Sequence, residues 1–291
     1  MQKFELNGNS EDIEKVIGFA SKKYTGVNNI LSFLMAIILS VLFYLALYPF
    51  WTTHRYQMVD MFFHGGECNR STIPYYTVLL AAWACAILII KSRKLKMQEK
   101  ALEIDIVPQD PAFVLSSMNA SEILKSIYDK VHMPQKFVLF NRMSRALSNL
   151  KNIGRVSDVS SVLTTQAAND EQYFESTYTL LKGFIWGIPV LGFIGTVLGL
   201  SQAVGGFGAV VAQGADIDKL KSSLNGVTGG LAVAFETTLI ALVAAFVLQL
   251  WLTMLKKKEE DFLDECSDYC HRNMISKLRM LDINDEFDSK E

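Results

Sequence analysis

Excess positive charge is missing from this chain: its net charge is −2, from 28 Lys and Arg against 30 Asp and Glu. No basic surplus therefore points to nucleic acid as a partner. Cysteine is scarce as well, four residues in 291, at Cys68, Cys85, Cys266 and Cys270. Cys85 lies inside an apolar run and Cys68 has no companion in its own segment, so no disulfide framework is implied. Cys266, Cys270 and His271 fall at helical spacing but are too few for the usual four-ligand zinc site, so a structural role is expected for the cysteines. No nucleophile–base pair or phosphate-cradling loop is visible. Gly205-Gly206-Phe207-Gly208 is not a dinucleotide fingerprint, because no strand precedes it. Neither a catalytic residue, a metal site nor a bound cofactor is expected.

Apolar length is what the chain has. Half of its residues are hydrophobic and its mean hydropathy is +0.22, too apolar for an ordinary soluble domain and too polar to be wholly embedded. The runs 30–51, 73–90, 183–204 and 230–252 each approach the ~20 residues that cross a ~30 Å hydrocarbon core. Their flanks carry Lys22 and Lys23, then Lys91, Arg93, Lys94, Lys96 and Lys100, then Lys182 and Lys256 to Lys258. The positive-inside rule thus places both termini and the insert 91–182 in the cytoplasm. The fold class expected is all-α: a multi-pass membrane protein with four transmembrane helices and long cytoplasmic helical extensions.

Five segments follow. Residues 1–29 read as a cytoplasmic N-terminus with an amphipathic helix, from Ile13, Val16, Ile17 and Ala20 behind the caps Asn9 and Ser10. Residues 30–90 hold two spans and a short outer connector. Residues 91–182 form a cytoplasmic helical domain, broken at Pro108, Asp110 and Pro111, with helices over 121–132 and 135–151. In the second of these, Arg142, Arg145 and Lys151 are expected on a solvated face, with a docking patch as the sharper idea. The stretch 156–182 lacks Pro and Gly and is expected to run as one helix into the third span, bending at Pro189. Residues 183–252 hold the last two spans, joined by an outer loop 205–229. In residues 253–291 the helical pattern continues to Leu281 as a stalk that would bundle with copies of itself, ahead of an acidic tail.

The last two spans keep polar groups inside apolar runs: Thr196 in one, Glu236, Thr237 and Thr238 in the other. Facing lipid, each would cost several kcal/mol, so they must face protein or water. If the spans are antiparallel, Thr196 and Thr238 lie at one level, ~12 Å below the outer ends. The competing reading has each hydroxyl bonded to a carbonyl of its own helix. Gly183/Gly187 and Gly195/Gly199, with Gly192 between, make a small-residue face for close helix contact.

These residues carry a resemblance. Pro189 to Gly199, PVLGFIGTVLG, resembles the P-x-x-G-x-x-G-T-V-x-G signature of the MotA/TolQ/ExbB proton-channel family, and Gly230 to Leu242 is similar to its G-[IL]-A-x-A-[LF]-x-x-T-x-x-[GA]-L helix. Val233 stands where the ExbB/TolQ branch often has a glutamate, and Glu236 lies one turn further on. The four spans with an inside N-terminus resemble the flagellar stator branch, whereas the G-T-V-x-G motif resembles the ExbB/TolQ branch. The resemblance implies a multi-pass protein of the bacterial inner membrane. It implies a pore-side motor subunit in which Thr196 and Thr238 line the ion path and Pro189 kinks the helix beside it. It also implies a homopentamer around two copies of an ExbD/TolR/MotB-like partner, each with a single transmembrane helix bearing an Asp, and H⁺ or Na⁺ as the transported ion. The alternative is a membrane scaffold or sensor without transport, its polar residues only bonding neighbouring helices.

Overall fold

A computed structural model describes residues 6–8, 12–53, 57–63, 72–108, 113–153, 156–212 and 217–278. In chain order they form β1 (Leu6–Asn7), α1 (Ile13–Val16), α2 (Asn29–Thr52), α3 (Gln57–Asp60), α4 (Ile73–Glu99), α5 (Ser117–Lys130), β2 (Val131–His132), α6 (Val138–Ile153), α7 (Val156–Thr177), α8 (Thr179–Ala212) and α9 (Ile217–Asn273), with short 3₁₀ turns between. The fold is all-α, with one two-residue strand pair among the described residues. Four helical stretches, containing α2, α4, α8 and α9, are long and apolar enough to cross a membrane. Residues divide into two compact units: 1–28, 90–177 and 255–291 in the first, 29–89 and 178–254 in the second.

In the first unit, apolar periodicity builds the core. Ala120, Ile123 and Ile127 of α5 and Phe140, Met143, Leu147 and Leu150 of α6 are all buried, at the three- and four-residue spacing that puts them on one helix face. Met133 adopts a left-handed conformation (φ 60°, ψ 61°) and turns the chain into the Pro134 3₁₀ helix. The start of α6 is then satisfied by a single side chain. Buried Gln98 donates to the Lys136 carbonyl at 2.8 Å and accepts from the Val138 N–H at 3.0 Å, filling one of the donors a helix N-terminus leaves open. Leu6 and Asn7 pair in parallel with Val131 and His132.

Buried charge organises the rest of this unit and corrects several expectations. The N-terminal segment is not an amphipathic helix: α1 is four residues long, and Val16, Ile17 and Ala20 are exposed. Asp12 and Glu14 turn inward instead. Lys94 donates to Glu14 Oε2 at 2.6 Å and to the Gly26 carbonyl at 2.7 Å, while Glu14 accepts from the Asn28 N–H at 2.6 Å. A second buried lysine, Lys91, pairs with Glu259 at 3.1 Å. Lys91 and Lys94 are thus internal rather than part of the basic flank, whereas Arg93, Lys96 and Lys100 are exposed. Arg142 is not on a solvated face either. It is 1% exposed and bonds Asp170 at 2.7 Å and Ser267 Oγ at 2.9 Å; only Arg145 and Lys151 remain outside.

The stalk at the end of α9 finds its partner in its own chain. Phe262, Leu263, Cys266, Tyr269, Cys270 and Met274 are buried within this unit, and Leu278 bridges to Leu115. Bundling with copies is not what covers its apolar face. Burial pushes the Cys270 thiol up to about 12 and Cys266 upward as well, with the Arg142 charge opposing both. Because the thiolate is the reactive form, iodoacetamide at pH 8 should leave Cys266 and Cys270 unlabelled in the folded protein and label both after denaturation, as peptide mass spectrometry would report.

In the second unit, Trp83 of α4 stacks near Phe33 of α2 (4.8 Å) and Phe184 of α8 (4.6 Å), and its indole N–H donates to buried Ser32 at 3.0 Å. An aromatic cluster follows where Tyr44 stacks on Tyr75 at 5.1 Å and Trp51 on Phe63 at 4.9 Å. The helix expected over 156–182 is present as part of the continuous helical stretch Asp158–Ala212, with a single turn residue, Tyr178, marking α7 from α8. The expected outer loop 205–229 is helical through Ala212 and again from Ile217, so the glycines 205, 206 and 208 are not a flexible start. Asn9, Ser10, Arg55, Glu67, Cys68, Arg70, Asp110, Pro111, Leu281 and the acidic tail lie outside the described residues.

Candidate functional site

The site is built where α8 and α9 touch, within the second unit. In a bilayer lipid tails solvate a leucine as well as another helix does, so close backbone approach has to drive association. Three glycines provide it. A Cβ added to Gly192 would stand 2.7 Å from the Ala241 Cβ and 3.2 Å from the Thr238 Cα. One on Gly195 would stand 2.8 Å from the Thr237 Cβ, and one on Gly199 3.1 Å from both the Ala234 Cβ and the Gly230 carbonyl. From the other side, a Cβ on Gly230 would meet the Ala203 Cβ at 2.7 Å. The contacts at Gly192, Gly195 and Gly230 are shorter than side chains tolerate and those at Gly199 are tight, so these backbones approach as glycine allows. Gly183 and Gly187, expected to form a second contact pair, have nothing within 4 Å at their Cβ positions. Pro189 lies within α8, where it lacks the N–H that would bond the Ile185 carbonyl.

The same contacts fix the register. Gly192 lies against Ala241, Gly195 against Thr237 and Gly199 against Ala234, so the helices run antiparallel. Thr196 then lies level with residues 236–237, and Thr238 about two residues further along, an offset of ~3 Å. The four polar residues share one zone of the helix pair. Thr237 is buried against Gly195, while Thr196, Glu236 and Thr238 are half-buried.

Hydrogen bonding distinguishes the three hydroxyls. Thr196 donates to the Phe193 carbonyl at 2.7 Å and Thr237 to the Ala234 carbonyl at 2.9 Å, each three residues back on its own helix. Thr238 reaches across the seam to the Gly192 carbonyl at 3.1 Å. Of these three bonds, only the last joins the two helices. Since every hydroxyl has one hydrogen and two acceptor sites, all three donors are engaged and the oxygens keep acceptor capacity. Such an array can receive a proton-bearing group or ligate a small cation.

The geometry gathers Thr196, Thr237 and Thr238 on one seam, formed by a stretch that was read as a family motif.

Residues 134–267 match the MotA/TolQ/ExbB proton channel family.

No curated protein and no solved structure matches the chain. The MotA/TolQ/ExbB match takes in the whole glycine seam and both motifs, and it supports the resemblance read from them. It also reaches back through α7 and α6 to Pro134, well ahead of the first motif. The family is one of proton channels, in keeping with four helices suited to a membrane. Sequence reasoning missed Ala203 of α8 and Ala234 and Ala241 of α9 as seam residues. Their signal was present, in the small-residue spacings 199/203, 230/234 and 237/241.

Proposed function

We propose that the chain is the pore-side subunit of an ion-driven motor in the bacterial inner membrane. Thr196 and Thr238 would line the ion path, with Thr237 and Glu236 beside it. The observation that carries the reading is the Thr238 hydroxyl bonded across the seam to Gly192, 3.1 Å away, inside the matched segment. In this reading five copies surround two single-span partner helices, each bearing an Asp. A protonated carboxyl loses the cost of a charge at depth and can donate to a threonine oxygen, then releases its proton to the far side after one subunit step. An ion gradient supplies about 2.3 kcal/mol per charge per 100 mV to drive the cycle. The transported ion is H⁺ or Na⁺, and no resident cofactor is required.

A second reading has its own support. Every threonine hydroxyl in the seam already has a carbonyl partner within the chain, which is all that a membrane scaffold or sensor would need. One substitution separates the two. The interhelical bond of Thr238 is worth about 0.6 kcal/mol on average, so Thr238→Val should leave assembly intact. The motor reading expects that variant to abolish ion flux when co-reconstituted with its single-span partner in vesicles. Flux equal to a conducting wild type would remove Thr238 from the path, and no flux from either protein would leave the scaffold reading standing.

A further inference from the structure

The first unit holds a cavity of about 640 Å³ that uses none of the helix-pair residues. One wall is a polar stripe of α6, Asn141, Ser144, Arg145 and Ser148, at the three- and four-residue spacing of a single helix face. Lys23 and Tyr128 stand among the other lining residues. No lining side chain is acidic. Among the described residues Lys23 and Arg145 make no ion pair. Lys23 is held instead over the Tyr24 ring, 4.1 Å from its centroid. The Asp170 carboxylate that acts on Lys23 from nearby is bonded to Arg142 at 2.7 Å.

The floor supplies an independent observation. Ser144 is 8% exposed, and its Oγ, shielded from solvent, has no hydrogen-bond partner. A buried hydroxyl left unpaired is costly enough that native structures rarely keep one without a ligand or an ordered water. Desolvation lowers the Lys23 pKa, Asp170 opposes that, and the nearby Arg145 charge adds to it. An anion between the two cations would offset their repulsion and favour the charged lysine that burial disfavours.

We propose that this cavity binds a small molecule carrying a phosphate group, with Arg145 and Lys23 on the anion and the Ser144 hydroxyl donating from below. Guanidinium and phosphate match in geometry as well as charge. The volume suits an organic ligand rather than bare phosphate, and the half-exposed ring of Tyr128 offers the remainder an apolar wall.

The test uses the full chain in nanodiscs of neutral phosphatidylcholine, titrated with inorganic pyrophosphate by calorimetry. Saturable binding is expected. Arg145→Ala and Lys23→Ala should each weaken it at least about tenfold, Ser144→Ala should weaken it less, and Lys151→Ala should leave it unchanged. Repeating the titration in phosphatidylglycerol nanodiscs identifies the source. Weaker apparent binding that depends on Arg145 means that a lipid headgroup occupies the site, and unchanged binding means a free molecule does. Absence of saturable binding in both lipids, or binding that Arg145→Ala and Lys23→Ala leave unaltered, overturns the proposal.

Discussion

Gly195→Val should prevent α8 and α9 from closing and eliminate function along with much of the folded protein. The first added carbon alone would stand 2.8 Å from the Thr237 Cβ, and closer still to the Thr237 hydroxyl. Both neighbours are fixed to the backbone of a helix that cannot rotate away without losing Gly192 and Gly199 as well. Overpacking of a tight contact typically costs about 1–3 kcal/mol, and here it falls on an interface held by close approach and by the Thr238 bond to the Gly192 carbonyl. Gly187→Val provides the comparison, because nothing lies within 4 Å of its Cβ position. Thermal stability in detergent and ion flux should both collapse for Gly195→Val and change little for Gly187→Val. A milder pair sharpens the point. Gly192→Ala places a methyl 2.7 Å from the Ala241 Cβ, so adding Ala241→Gly should recover part of the loss. A Gly195→Val protein as stable as wild type would show that the seam is not the contact that holds these helices.

Arg142→Ala carries the second large effect, in the other unit. Arg142 and Asp170 are 1% and 2% exposed, and the guanidinium also reaches Ser267 at 2.9 Å and the Leu263 carbonyl at 3.5 Å. Removing it leaves the Asp170 charge buried without its partner, which costs about 3–5 kcal/mol. Domains are stable by only about 5–15 kcal/mol, so this unit should unfold at a far lower denaturant concentration. The double variant Arg142→Met with Asp170→Leu should recover most of that loss, since two buried charges replaced by apolar groups of similar size leave no charge unpaired. Chemical denaturation of the two variants beside wild type measures the loss and the recovery. Equal stability for Arg142→Ala and wild type would mean that water reaches Asp170.

The spans were legible because a membrane constrains composition over a fixed length. Residues 30–51 were expected and 29–52 are helical; the motif glycines 192, 195 and 199 were expected to pack closely and do. Helices around Met133-Pro134 were legible for the same local reasons, apolar periodicity and a breaker between. What failed was everything decided by a distant partner. Lys91, Lys94 and Arg142 look like surface charge in sequence, since nothing local reveals that Glu259, Glu14 and Asp170 lie opposite them. Val16 and Ile17 look like a buried helical face because the periodicity is right, but Asp12 and Glu14 take the inner positions through their bonds to Lys94 and to backbone amides. The glycines 205, 206 and 208 suggested a loop, yet a helix persists through them, as glycine is far better tolerated in apolar helices than in water-exposed ones. Gly183 and Gly187 have the spacing for close contact within the subunit or between copies, and among the described residues of the chain itself nothing lies within 4 Å of their Cβ positions.

The orientation of the seam hydroxyls has one more consequence. Their hydrogens point at carbonyls on Phe193, Ala234 and Gly192, so a chloride ion approaching these threonines would meet lone pairs alone. Discrimination by sign would then be built into the rotamers themselves, in the same sense as the carboxylate of neighbouring Glu236.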